Sequence, residues 1–360
     1  MKISEAKQCI KELYLKTQSV AALISERGVG KTSAFKQCAE ELGIGYMGLY
    51  AAALEGPDFM GLPDKDSAKG ITRYLAPQFL PTVQAVNEGI FPAKGILVLE
   101  EINRVPSDTV SVLYPLLLER KINGHSLAEG WKIGVTMNPD NLNYSVNSLD
   151  DAMLDRFVSI EIIADLEDYI EFSLHNGPND DTLAFLQACP DMLLVVKKSA
   201  DSGALSKSPT PRGWTKVQEL LNNCDLNDKL MVELIAGILG PEVASAFLGY
   251  IRSRDFAIPS TQKLLNSFEE VRPSIQGIMD KNRLDIINLI IKKIVVGYEV
   301  EKNQIDNMNC FVEFLNEELR VLFFKVLASK RPEDFEETVK SMPVFDSVAD
   351  KVVEIIIGKG

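Results

Sequence analysis

From residue 19 to about 163, short apolar runs alternate with amphipathic segments, a pattern that predicts a parallel sheet with helices on its faces. The strand candidates are Val20–Ile24, Ile44–Tyr50, Ile96–Leu99, Trp131–Met137 and Phe157–Ile163. Between the first two, Phe35, Cys38, Ala39 and Leu42 fall at i, i+3, i+4 and i+7, so Lys31–Leu42 reads as a helix with one apolar stripe. A second helix is expected from Ser107, after Pro106, burying Val110, Leu113 and Leu117. Gly56, Pro57, Gly61, Pro63, Gly70, Pro77 and Pro81 crowd one segment, and that density of breakers predicts a long irregular insertion.

After Asp165 the period changes. Leu166–Leu174, Thr182–Ala188, Gly213–Leu221, Leu230–Leu239 and Ala244–Ile251 read as helices of a small helical domain. A further helical block is marked by Phe311, Leu315, Leu319, Leu322 and Val326, spaced by four, four, three and four. The closing VVEIII, residues 352–357, fits helix and strand equally.

At 360 residues the chain has room for two or three domains, and 46% hydrophobic with 25% charged residues excludes wholesale disorder and fibrous repeats. The net charge of −13 argues against a protein that wraps duplex nucleic acid, whose affinity would come from Lys and Arg. The longest apolar candidate for a membrane span, Ile286–Val296, is interrupted by Lys292 and Lys293, and no span is expected. Charges spread through the first sixteen residues give no leader pattern, so a cytoplasmic location is expected. Five cysteines never closer than 29 positions fit neither a disulfide framework nor a zinc site, and two histidines exclude a histidine-rich metal centre.

The chemistry concentrates where the first apolar run meets the first helix: Ser25-Glu26-Arg27-Gly28-Val29-Gly30-Lys31-Thr32-Ser33. Strand, glycine-rich loop and helix in this order suit a triphosphate, because backbone N–H groups can crowd the phosphates, Lys31 can reach the β and γ oxygens, and Thr32 offers a hydroxyl to Mg²⁺. Taken alone, the pentapeptide also fits a glycine turn with an exposed lysine. The second signal is a buried strand ending in Glu100 and Glu101, which alone fits a core strand meeting solvent. In a doubly wound sheet both features would open into one crevice, with one carboxylate supporting Mg²⁺ and the other orienting the attacking water.

These residues resemble the MoxR-like AAA+ ATPases. Gly28–Thr32 is similar to their Walker A and Glu100-Glu101-Ile102-Asn103-Arg104 to their D-E-I-N-R Walker B. Met137-Asn138-Pro139 resembles sensor 1, Leu154-Asp155-Arg156-Phe157 the arginine-finger motif, and Pro209-Thr210-Pro211-Arg212-Gly213-Trp214 sensor 2. The resemblance covers residues 20 to 214 and implies an α/β AAA+ core over 1–164, a helical lid over 165–255 and a C-terminal helical region over 256–360. It implies ATP and Mg²⁺ as ligands, with Gly28, Val29, Gly30, Lys31, Thr32 and Ser33 holding nucleotide and Thr32 and Glu100 the metal. Glu101 would act on the attacking water, Asn138 would sense the γ-phosphate, Arg212 would reach it from the lid, and Arg156 would enter a neighbouring subunit's site. Bland roles stay open for the last three: a turn at Asn138, and surface charges at Arg156 and Arg212.

Two departures stand out. Ser25 occupies the place of the first Walker A glycine, and Glu100 that of the family's Asp, one methylene shorter. The resemblance further implies a hexameric ring remodelling a protein client, with a von Willebrand factor A-type partner. Gly56–Pro81 and a hairpin within Arg120–Trp131 are either substrate-facing or plain surface loops. Two other readings remain at this point: a nucleotide-gated assembly factor with very slow turnover, and a nucleic-acid motor, which the acidic balance disfavours.

Overall fold

Five parallel strands carry the amino-terminal part of the chain: β1 (Val20–Ile24), β2 (Gly45–Tyr50), β5 (Gly95–Glu100), β8 (Trp131–Met137) and β9 (Phe157–Glu161), side by side in the order β2-β5-β8-β1-β9. The structure is a computed structural model and describes residues 1–139, 149, 151–196, 207–224 and 228–357. They divide into two compact units, Met1–Asp165 with Thr210–Arg212, and Leu166–Val195 with Lys207–Pro209 and the chain from Gly213 onward.

The three inner strands are buried almost throughout, which is why they show no alternation in sequence, while the edge strands β2 and β9 vary in exposure from residue to residue. Helix α2 (Lys31–Glu41) lies on the sheet through Phe35, and the contact is made possible by Gly134 of β8, where a Cβ would stand 2.5 Å from the Phe35 ring. This is the parallel α/β arrangement expected.

Some local expectations change. An unforeseen helix, α1 (Ile3–Lys16), buries Ala6 and Ile10 and is tied to α2 by Lys7 and Lys11, which pair with Glu41 at 2.5 and 2.8 Å. The segment from Gly56 to Pro81 is not irregular throughout, although its residues 75–81 lie in no helix or strand. Its breakers sit at element ends: Gly56 and Pro57 open α3 (Gly56–Met60), Pro63 opens β3 (Pro63–Asp66), and Gly70 closes the turn into β4 (Ile71–Tyr74), which pairs antiparallel with β3. After α4 (Val83–Asn87) and α5 (Ser107–Glu119) comes the expected hairpin, β6 (Lys121–Ile122) and β7 (His125–Ser126). It braces the insertion, since Asn123 Nδ2 donates to the Met60 carbonyl at 2.8 Å and His125 Nε2 lies 2.7 Å from that of Tyr74. Between β8 and β9 stands the short α6 (Asp151–Leu154).

The second unit is helical among its described residues. It contains α7 (Leu166–His175), α8 (Asp180–Ala188), α9 (Pro211–Asn223, from Gly213), α10 (Asp228–Leu239), α11 (Pro241–Ser253), α12 (Thr261–Asn266), α13 (Phe268–Asp280), α14 (Leu284–Gly297), α15 (Ile305–Phe314), α16 (Glu317–Lys330), α17 (Pro332–Lys340) and α18 (Ala349–Ile357). One centre is aromatic: Phe185, Trp214, Phe247 and Tyr250 meet edge to face or tilted, and Trp214 Nε1 donates to the Met192 carbonyl at 2.8 Å. Helix α14 is packed against α7, α8 and α16 and is buried along most of its length. Its two buried ammonium groups are both paired, Lys292 with Glu167 and Lys293 with Asp180 at 2.6 Å. The apolar repeat from Phe311 to Val326 crosses a helix break, because Asn316 caps α16 by accepting from the Leu319 N–H at 3.0 Å. The terminal VVEIII is helical, in α18. Among the described residues no helix is long and apolar enough to cross a membrane.

The seat of Phe35 on β8 gives a test of the amino-terminal unit. Gly134→Ala should cost about 1–3 kcal/mol, because neither a central strand nor a buried ring can retreat freely. A lower denaturant midpoint at unchanged slope is the expected result, and an unchanged midpoint would show that α2 is not held there.

Candidate functional site

Parallel pairing brings three chain segments to one edge of the sheet. Ile24 pairs with Met137 and Leu99 with Val135, so the loop after β1, the Asn138 turn after β8 and the carboxylates ending β5 follow one another across neighbouring strands. This is the carboxyl edge, where ligands bind in open α/β sheets.

In the loop, Gly28 and Gly30 have φ of 73° and 121°, values that L side chains rarely adopt. Gly28 is also crowded, since a Cβ there would lie 2.9 Å from Thr210 Oγ1 and 3.3 Å from the Arg212 Cβ. Val29 is buried and anchors the loop between them. Ser25 is buried and adopts no left-handed backbone, so serine is accommodated where the resemblance calls for glycine. Its side chain is used, because Lys31 Nζ lies 3.4 Å from Ser25 Oγ as well as 2.7 Å from the Ser25 carbonyl.

Lys31 is only 8% exposed and gathers four oxygen acceptors, the others being the Glu26 carbonyl at 3.3 Å and Asn138 Oδ1 at 3.1 Å. Burial pushes its ammonium down to about 8, with the charges of Glu101 and Glu26 pulling the other way. A cation held by neutral dipoles in a shielded place is poised to take an anion. In the first turn of α2, Thr32 Oγ1 donates to Glu100 Oε2 at 2.8 Å, while Ser33 is exposed on the same turn. A hydroxyl and a carboxylate are hard oxygen donors, and their meeting beside the phosphate-type loop fits Mg²⁺, which takes one or two protein ligands along with phosphates and water.

Glu101 sits in the left-handed region at φ 54°, which costs a side-chain-bearing residue about 1–2 kcal/mol. Its backbone is held by an N–H bond to Thr136 Oγ1 at 3.0 Å. Its carboxylate accepts from Tyr50 at 3.2 Å and from Arg104 at 2.8 Å, and this hydrogen bond raises the guanidinium pKa. Asn103 locks the neighbouring turn by a two-way exchange with the Asn138 backbone, Nδ2 to the carbonyl at 2.8 Å and N–H to Oδ1 at 3.3 Å.

Of the predicted residues, Gly28, Val29, Gly30, Lys31, Thr32, Ser33, Glu100, Glu101 and Asn138 thus come to one edge. Arg212 joins them, its N–H donating to the Gly28 carbonyl at 3.1 Å and its charge acting on Lys31. Arg156 does not. It precedes Phe157, the partner of Val20, and so lies at the amino edge of the sheet, exposed. The separation along the strands is about 16 Å for five residues. Sequence reasoning gave no role to Tyr50, Asn103, Arg104 or Thr136. Asn103 and Arg104 lie within the quoted Walker B stretch and Thr136 just before the quoted sensor 1 stretch, but the bonds that link Asn103 and Thr136 across the sheet become visible only when β5 and β8 are paired.

Among curated proteins, none matches the chain. Solved structures of low identity do. NtrX from Brucella abortus in complex with ATP has 13% identity and a TM-score of 0.39, covering 89% of this chain and 67% of that one. A RuvB mutant from Thermotoga maritima has 14% identity and a TM-score of 0.35, with coverages of 75% and 75%. A candidate ATPase from Cytophaga hutchinsonii has 15% identity and a TM-score of 0.32, with coverages of 70% and 89%. At these scores the likenesses carry nothing about activity. Residues 23–157 match the family described as AAA domain (dynein-related subfamily), and the chain therefore carries an AAA domain of that type.

Proposed function

We propose that the chain is an ATP hydrolase of the MoxR-like AAA+ kind, acting as a subunit of a hexameric ring that remodels a protein partner, with a von Willebrand factor A-type domain as the partner class. The observation that carries this reading is the meeting of Lys31, Thr32 with Glu100, Glu101 and Asn138 at one strand edge. In the proposed reaction Lys31 gives up its protein acceptors to the β and γ oxygens of ATP, and the N–H groups of residues 28 to 32 surround the phosphates. Thr32 and Glu100 would hold Mg²⁺, which supplies charge neutralisation on those oxygens when bound. Glu101 orients the attacking water and accepts its proton, Asn138 aligns it, and Arg212 adds charge at the γ position.

Glu101 must first leave Arg104 and Tyr50. This engagement of the base favours a second reading, a nucleotide-gated assembly factor with very slow turnover. Steady-state turnover measured beside equilibrium nucleotide binding separates the two. The place of Arg156 at the opposite edge of the sheet supports action on a neighbouring chain's nucleotide, since it is too far along the strands to serve its own.

Lys31→Ala should abolish ATP binding in calorimetry, because the phosphates lose the loop's side-chain cation. Unchanged affinity would sink the nucleotide assignment. Glu101→Gln and Arg156→Ala should each keep ATP binding while losing most turnover, an arginine finger being worth about 10³ to 10⁵ in rate. Mixed together, the two inactive variants should recover ATPase activity in a concentration-dependent way, because some interfaces then join an intact Glu101 to an intact Arg156. Inactive mixtures despite demonstrated co-assembly would rule out a shared site.

A further inference from the structure

Glu100 is one of the two residues that depart from the motif pattern. On β2, Tyr46, Gly48 and Tyr50 lie on one face by alternation, and β2 runs parallel to β5 with Gly48 opposite Val98 and Tyr50 opposite Glu100. The Tyr46 ring folds along its strand over Gly48, which leaves the space for it. A Cβ on Gly48 would stand 2.6 Å from the Tyr46 hydroxyl and 3.0 Å from Glu100 Oε1, so both groups border one small gap. The hydroxyl is shut off from water and has no hydrogen-bond partner among the described residues. A phenolic hydroxyl is protonated at neutral pH, so the group is a donor.

A buried hydroxyl without a partner is costly and calls for a reason. Glu100 supplies one. Its Oε2 is now satisfied by Thr32, but a threonine that turns its oxygen to a cation reorients that donor. We propose that Tyr46 is a positioning residue for the cation site, its hydroxyl donating to the Glu100 carboxylate and holding the longer side chain in place for Mg²⁺. The inference rests on the nucleotide and Mg²⁺ reading above and adds to it a residue from outside every motif.

The test uses the full chain, a fluorescent ADP analogue, and Mg²⁺ titrated from an EDTA-containing buffer. In Tyr46→Phe, affinity for the analogue without cation should equal that of the wild type, while the Mg²⁺ concentration giving half the cation-dependent gain should rise about tenfold, the loss expected of a hydrogen bond to a charged group. The ligand-free variant should melt at or above the wild-type temperature, because it loses an unpartnered buried hydroxyl. In a Glu100→Asp background the same substitution should change nothing further, since the shorter carboxylate is withdrawn from the hydroxyl. An unaltered Mg²⁺ requirement, an equal loss of affinity in EDTA, or a full effect in the Glu100→Asp background each overturns the role of Tyr46. A wild-type chain that binds no nucleotide at all overturns the underlying reading as well.

Discussion

The register of the inner strands is the constraint on which the candidate site depends. Because Ile24 stands beside Met137 and Leu99 beside Val135, the ends of β1, β8 and β5 are in step, and the residues that follow them meet without long loops. A slip of one residue would turn every side chain to the other face. The inner strands are protected from slipping by what they bury: Phe35 over Gly134 on one face, and a core of Leu97, Leu99, Val135 and Trp131 with α5 side chains such as Leu113 and Leu116. Packing in the centre of the sheet thereby fixes polar geometry at its edge.

Within that frame the edge is satisfied and under tension together. Lys31 is shielded and held by neutral oxygens, and Glu101 occupies a strained backbone position maintained by Thr136. Such strain persists only where the surroundings over-determine it. The two departures in the motifs are absorbed in different ways. Ser25 needs no left-handed backbone and lends its hydroxyl to Lys31, whereas Glu100 needs room and receives it from the neighbouring strand.

Much of this was legible in the sequence for a physical reason. A strand buried on both faces has to be a short apolar run, and β1 and β8 end where the runs end. The loop residues were legible because phosphate geometry demands small residues in a fixed order. The insertion was misread because a count of glycines and prolines ignores their positions, and here they open and close short elements. Helix α1 went unseen because its buried stripe is thin, Ala6 and Ile10 among many charges. The surroundings of Glu101 and Glu100 were beyond reach for a deeper reason: Tyr50 and Tyr46 come from a strand fifty residues away, and only pairing in space brings them beside β5.

Gly48 has a consequence for how such a sequence can change. A side chain at that position collides with the Tyr46 hydroxyl and presses on Glu100, while a glycine there tolerates either carboxylate at position 100. The two sites are therefore coupled: a side chain at 48 would require the Tyr46 ring to move and the end of the Glu100 side chain to shift with it. Glutamate at the end of the third core strand should travel with glycine two residues before the end of the second, a paired signature by which related chains that tolerate the longer acid can be told from those that do not.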